Sequence, residues 1–153
     1  MGTSSGSRTL KVGMAEIPLS EIDKIVVLRS GPSIAGSTGD YQAFKTNFST
    51  AAYQVPTGKT LYILGMVNQT DTTNVAIGYS DTAVDTARTS TPPTNPIEVQ
   101  PHTEGGLTQS SLKDSPAGVS SGLFPIAIPA DKFVHARYAT TGGYIGQLIC
   151  LLL

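Results

Sequence analysis

Apolar residues along this chain come in short alternating runs, cut apart by Gly, Pro, Ser, Thr and Asn. A period of two puts successive side chains on opposite faces of a strand. Residues 22–30 read as a strand in which Ile25, Val26, Val27 and Leu28 make both faces apolar. Residues 60–68 carry the longest strand pattern, and 74–79 alternate Val75, Ile77 and Tyr79 with Ala76 and Gly78. The polar stretch Asn68 to Thr72 between them predicts a hairpin. Residues 133–140 and 144–153 predict a second hairpin, turned at Gly142-Gly143. Phe44 to Tyr53 is a further strand candidate. Residues 80–122 are mostly Ser, Thr, Pro, Gly and Asp, with a strand signal only at Ile97-Glu98-Val99. A connection that long usually carries function or lies against a neighbour. The expected fold is all-β, an antiparallel β-sandwich of jelly-roll type with about eight strands and an extended N-terminal arm.

Two stretches rhyme. Val55-Pro56-Thr57-Gly58-Lys59 and Ile128-Pro129-Ala130-Asp131-Lys132 share an apolar residue, a proline, two small or turn-forming residues and a lysine. Each precedes a strand. Proline presets the φ of a turn, and Gly58 or Asp131 suits its end.

The two ends of the chain look different from its middle. Residues 1–21 are a Gly/Ser-rich tail followed by Leu10, Val12, Met14, Ile17 and Leu19, broken by Pro18. This segment reads either as an extended arm that docks its apolar side chains on another subunit or as an edge strand of the domain's own sheet. Residues 22–153 read as one sandwich domain. Its last strand, through Leu151, Leu152 and Leu153, has almost no polar alternation. One face can be core, so the other must be covered as well, which suggests either a central strand or a buried oligomer axis. The arm residues and these three leucines are the expected assembly interfaces.

Charged residues make up 14% of the chain, against roughly 25% in an average soluble protein. Weakly charged, Thr- and Ser-rich β surfaces are common where neighbours cover them, because charge is the usual protection against sticking. The net charge of −1 leaves no basic stripe to neutralise phosphates, so nucleic acid is not the expected partner. Met1 to Gly6 has no apolar core of a signal peptide, and no apolar run approaches the roughly 18 residues of a membrane span. No membrane association is expected.

Candidate chemistry is sparse. Gly58-Lys59-Thr60 ends like a phosphate-binding loop, but Tyr53 stands where that motif needs glycine, and a strand pattern follows instead of a helix. His102 lies in a Pro/Gly-rich loop. His135 shares a strand face with Phe133 and Arg137, and reads as a surface or intersubunit residue. Two histidines do not supply a metal-binding barrel. Asp81 and Asp85 read as solvated loop carboxylates, and their spacing does not fit a calcium loop. Cys150, the lone cysteine, is flanked by Ile149 and Leu151 and reads as inert packing. No catalytic residue, metal or cofactor is expected.

The Val-Pro-x-Gly-Lys corner, the strand end Ile77-Gly78-Tyr79-Ser80-Asp81 and the Ile-Pro-Ala-x-Lys corner together resemble small jelly-roll virion proteins of tailed bacteriophages, namely capsid decoration or cement proteins and related head or fibre modules. The resemblance spans roughly residues 50–153 in pattern. It implies a non-enzymatic structural protein of the virion, a homotrimer that clamps the major capsid protein or other virion subunits, with the N-terminal arm reaching across a seam. The alternative is a ligand- or glycan-binding β-sandwich module of a phage fibre or an extracellular protein. Glycan sites favour exposed aromatic platforms, and the chain has 6 Tyr and no Trp.

Overall fold

The computed structural model describes residues 8–12, 15–18, 20, 24–30, 39–47, 49–68, 75–100, 125–138 and 145–153. Among these residues there are strands and no α-helix: β1 (Thr9–Val12), β2 (Ala15–Pro18), β3 (Ile25–Arg29), β4 (Tyr41–Ala43), β5 (Lys45–Thr46), β6 (Leu61–Asn68), β7 (Val75–Ser80), β8 (Ile97–Gln100), β9 (Ile126–Ile128), β10 (Phe133–Tyr138) and β11 (Ile145–Leu152). Two antiparallel sheets face each other across the core, one ordered β5-β3-β11-β6-β9 and the other β4-β10-β7-β8. β4 and β5 are one bent segment that passes from the smaller sheet to the larger at the fully buried Phe44. Such sheet-switching bends are how sandwich corners are made.

The pairing is nested. β3 pairs with β11, β4 with β10, β6 with β9 and β7 with β8, so the first strand of the two facing sheets meets the last and the innermost two meet each other. This corrects the two expected hairpins. β6 and β7 lie in opposite sheets, and so do β10 and β11. Alternation states which face of a strand is buried, not which strand lies beside it, and a polar loop joins strands within a sheet or across the core equally well. Here both edges of β6 are taken, by β11 and by β9. The candidate strand at Phe44 to Tyr53 is also displaced. The strand runs through 41–46, and Tyr53 returns beside it, donating its N–H to the Phe44 carbonyl at 2.7 Å and accepting the Val134 N–H at 3.2 Å.

Leu28, Phe44, Val55, Leu61, Ile63, Ile77, Ile128, Val134, Ala136, Tyr138, Leu148 and Cys150 fill the space between the sheets. Tyr138 carries a hydroxyl into this core, and a buried hydroxyl needs a partner. It donates to Gln42 Oε1 at 2.8 Å, and Gln42 Nε2 donates to the Thr86 carbonyl at 2.9 Å. The Arg88 guanidinium lies 4.1 Å above the Tyr138 ring and 4.0 Å from Asp40. These contacts fasten the described part of the long loop, residues 81–96, to the sandwich. The backbone of Asp85 and Thr89 then pairs with Ala43 and Tyr41 along the free edge of β4. Ile97-Glu98-Val99 lies within β8, as expected, and 101–122 fall outside the described residues.

The rhyming corners meet at one end of the sandwich. Val55 N–H donates to the Lys132 carbonyl and Asp131 N–H to the Val55 carbonyl, both at 2.9 Å. The Thr57 hydroxyl donates to Asp131 Oδ1 at 2.6 Å. Gly58 and Asp131, equivalent in the rhyme, both take left-handed φ, +73° and +64°. The same turn is therefore built twice, once with glycine and once with a short side chain that tolerates this region. Gly58→Ala is expected to cost about 1–2 kcal/mol in urea unfolding through backbone strain alone, since a Cβ there meets nothing within 4 Å. Asp131→Gly sheds that strain while losing one exposed hydrogen bond, and its midpoint is expected to move much less.

Candidate assembly surface

β6 and β11 are apolar on both sides. Leu61 and Ile63 of β6, and Leu148, Cys150 and Leu152 of β11, point to the core between the sheets. Tyr62, Leu64, Ile149 and Leu151 point the other way, to the outer face of the five-stranded sheet, where Ile25 of β3 joins them. Left in water, that face is a hydrophobic patch on a protein with little charge to offset it.

Part of its cover comes from the chain itself. β1 and β2 pair as a hairpin that belongs to neither large sheet, with Leu10 opposite Ile17 and Val12 opposite Ala15. Ile17, only 1% exposed, is seated on Leu64 among Ile25, Tyr62, Ile149 and Leu151. This corrects the extended arm: β1 and β2 pair with each other, and Ile17 is buried within its own chain. Met14 and Leu19 lie outside the described residues. Of the C-terminal leucines, Leu151 faces the outer surface, Leu152 packs inward against the main core, and Leu153 is 45% exposed. The expectation that all three leucines face a partner therefore fails for Leu152. Leu153 is held in place by a backbone pair with Thr60, at 2.7 and 3.0 Å.

Beside Ile17 a cleft of about 320 Å³ remains, lined by Glu16, Ile17, Tyr62, Leu64, Pro125, Leu151 and Leu153. Its walls are nearly all apolar. Glu16 is the one carboxylate among these lining residues, and Tyr62 brings the one phenol. Three of its residues, Ile17, Leu151 and Leu153, were expected from the sequence. Tyr62 and Leu64 were not, although Leu61-Tyr62-Ile63-Leu64 already places apolar side chains on both faces of one strand.

The other candidate residues stand apart from this cleft. Gly58-Lys59-Thr60 leads into β6 with no helix behind it. Asp81 is exposed but not solitary: the Lys132 ammonium and the Asn95 amide bond its two oxygens and hold its carboxyl below the ordinary value. Asp85 Oδ1 accepts the Ala87 N–H at 2.9 Å. Among the described residues no three His, Cys, Asp or Glu gather as metal ligands. Cys150 is fully buried, and burial pushes its thiol up. His135 is 1% exposed, which overturns its reading as a surface residue. His102 lies outside the described residues. Comparison with family models, with curated proteins and with solved structures finds no match to this chain.

Ile17→Ala is expected to destabilise the chain by about 2–4 kcal/mol if the whole fold is coupled to this seat. If the hairpin opens alone, protease sites within 8–18 open while the unfolding midpoint of the sandwich holds. Limited proteolysis beside urea unfolding separates the two. Leu153→Ala, on the rim, is expected to stay within about 0.5 kcal/mol.

Proposed function

We propose that this protein is a non-enzymatic structural subunit of a virus particle, which decorates or cements the capsid through contacts with its own copies and with the major capsid protein. The observation that carries the reading is the apolar outer face of the five-stranded sheet. Among the described residues the chain's own hairpin covers only part of it, and it continues through the cleft to the exposed Leu153. A face of this kind is completed by another protein surface, not by a small polar substrate.

The strand order supports the virion setting. Eight strands paired first with last and inward to the middle make a long antiparallel ribbon rolled into two sheets. We read this order as jelly-roll type, an architecture used by capsid subunits and by lectins among others. Fold alone does not select between those uses. The low charge, at 14% of residues, favours a surface that lives against neighbours. A homotrimer is the assembly proposed, with the cleft at the contact between subunits or between subunit and capsid.

Two measurements test the reading. Sedimentation of the purified protein at micromolar concentration is expected to give an oligomer, and Leu153→Asp is expected to dissociate it without unfolding the sandwich. A species near the chain mass of 15.9 kDa in the parent protein counts against it. Electron microscopy of particles from the native source, labelled with antibody to this protein, is expected to show a regular surface lattice. Label absent from particles overturns the virion assignment.

A further inference from the structure

His135 sits at the centre of the outer face of the four-stranded sheet, where three neighbouring strands close around it. Across the ladder it stands opposite Ala43 of β4 and Gly78 of β7, and Gly78 in turn stands opposite Glu98 of β8. The ring leans over Gly78 towards β8. A Cβ at that glycine would lie 2.9 Å from His135 Cε1 and 2.5 Å from the Ile97 carbonyl oxygen. The imidazole therefore occupies the space that a side chain at position 78 would need. On the β4 side the Tyr41 ring meets it edge-on, with centroids 5.4 Å apart and planes at 76°.

Both ring nitrogens are buried, and among the described residues neither makes a hydrogen bond of good geometry. The charged and titratable groups facing the ring among the described residues are few. Arg137 lies two residues along on the same face of β10, and donates to Glu98 Oε1 of β8 at 2.8 Å. Tyr41 presents its ring from β4, and β7 presents Gly78 and the Tyr79 backbone, with no charged side chain. β8 is the edge of its sheet, four residues long, with a register shift opposite Gly78 and with Ile97 48% exposed. A short, bulged edge strand is the part of a sheet that opens first.

We propose that His135 is an acid-responsive latch: the neutral ring, filling the hollow at Gly78, keeps β8 packed on the sheet, and protonation of the ring releases that edge. Burial lowers the affinity of the ring for a proton and brings its pKa down from 6.5 to about 4, against weaker opposing effects of the Tyr79 backbone and Glu98. Once β8 opens, water reaches both nitrogens, and the Glu98 carboxylate is free to leave Arg137 for the imidazolium. The open ring then binds a proton roughly 300-fold more tightly than the closed one. The open form holds more protons between pH 6.5 and about 4, so the closed form is favoured as pH rises through that window and is progressively lost as it falls.

Hydrogen exchange of the full chain from pH 7.5 to 4, corrected for intrinsic rates, tests the latch. Protection of the 97–100 amides is expected to fall at least about tenfold below pH 6, while the β11 amides 147–151 keep theirs. In His135→Gln, which cannot take up the proton, the β8 amides are expected to lose this pH dependence. Exchange at the imidazole C2 position of the unaltered protein reads the titration of His135 directly, even if that variant fails to fold. It is expected to show a midpoint well below 6.5, with further proton uptake as β8 opens. Flat protection of β8, an equal loss in His135→Gln, simultaneous opening of every strand, or a His135 midpoint near 6.5 each overturns the proposal.

Discussion

β11 is bonded on both edges, by β3 and β6, and apolar on both faces, and the rest of the molecule is arranged around satisfying it. Its inward residues, Leu148, Cys150 and Leu152, need an opposing sheet, which β10 and β7 supply through Val134, Ala136, Tyr138 and Ile77. Its outward residues, Ile149 and Leu151, need a second cover, and the Ile17 hairpin supplies part of it. Burial of each large side chain is worth about 1.5–3 kcal/mol. A strand with apolar residues on both sides thus creates a core on one side and a docking surface on the other. The fold and the assembly surface follow from one physical requirement.

The edges show the same economy of exposed backbone. Unpaired edge groups invite pairing with other chains. Asp85 and Thr89 pair with β4 along one edge of the smaller sheet, held there by Gln42, Arg88 and the buried Tyr138. In the larger sheet the edge strands β5 and β9 are only two and three residues long. β8 is the exception: an edge strand with a bulge, an exposed isoleucine and a buried imidazole against its base. Apolar surface and backbone edge are thus handled on different faces of the sandwich, the first on the outside of the larger sheet and the second at the rim of the smaller one.

Much of this was legible in the chain. Strand positions at 25–29, 61–68, 75–80, 97–100 and 133–138 follow from period-two alternation, and the two corners follow from proline and a left-handed residue at matching places. Partners were not legible, because the pattern in β6 or β10 is the same whether the next strand lies beside it or across the core. The hairpin of β1 and β2 was missed for a related reason. Its apolar residues are few, and what stabilises it is the seat for Ile17 between Leu64 and Leu151, residues distant in sequence. The burial of His135 was hidden as well. Alternation placed it correctly beside Phe133 and Arg137, but the space over it is created by the missing side chain of Gly78 on another strand, and only the pairing register brings the two together.

Two polar residues on opposite faces of β10 mark how differently buried polarity is treated. Tyr138 points inward and is satisfied through Gln42 and Thr86, which ties a long loop to the core and makes the contact rigid. His135 points outward, is equally shielded from water, and among the described residues has no hydrogen bond of good geometry at either nitrogen. An unsatisfied polar group in a dry site lowers the stability of the closed arrangement relative to an open one in which water reaches it. The closed sheet therefore holds its tyrosine side firmly and its histidine side under tension. The tension is greatest where a four-residue edge strand is all that must move to relieve it.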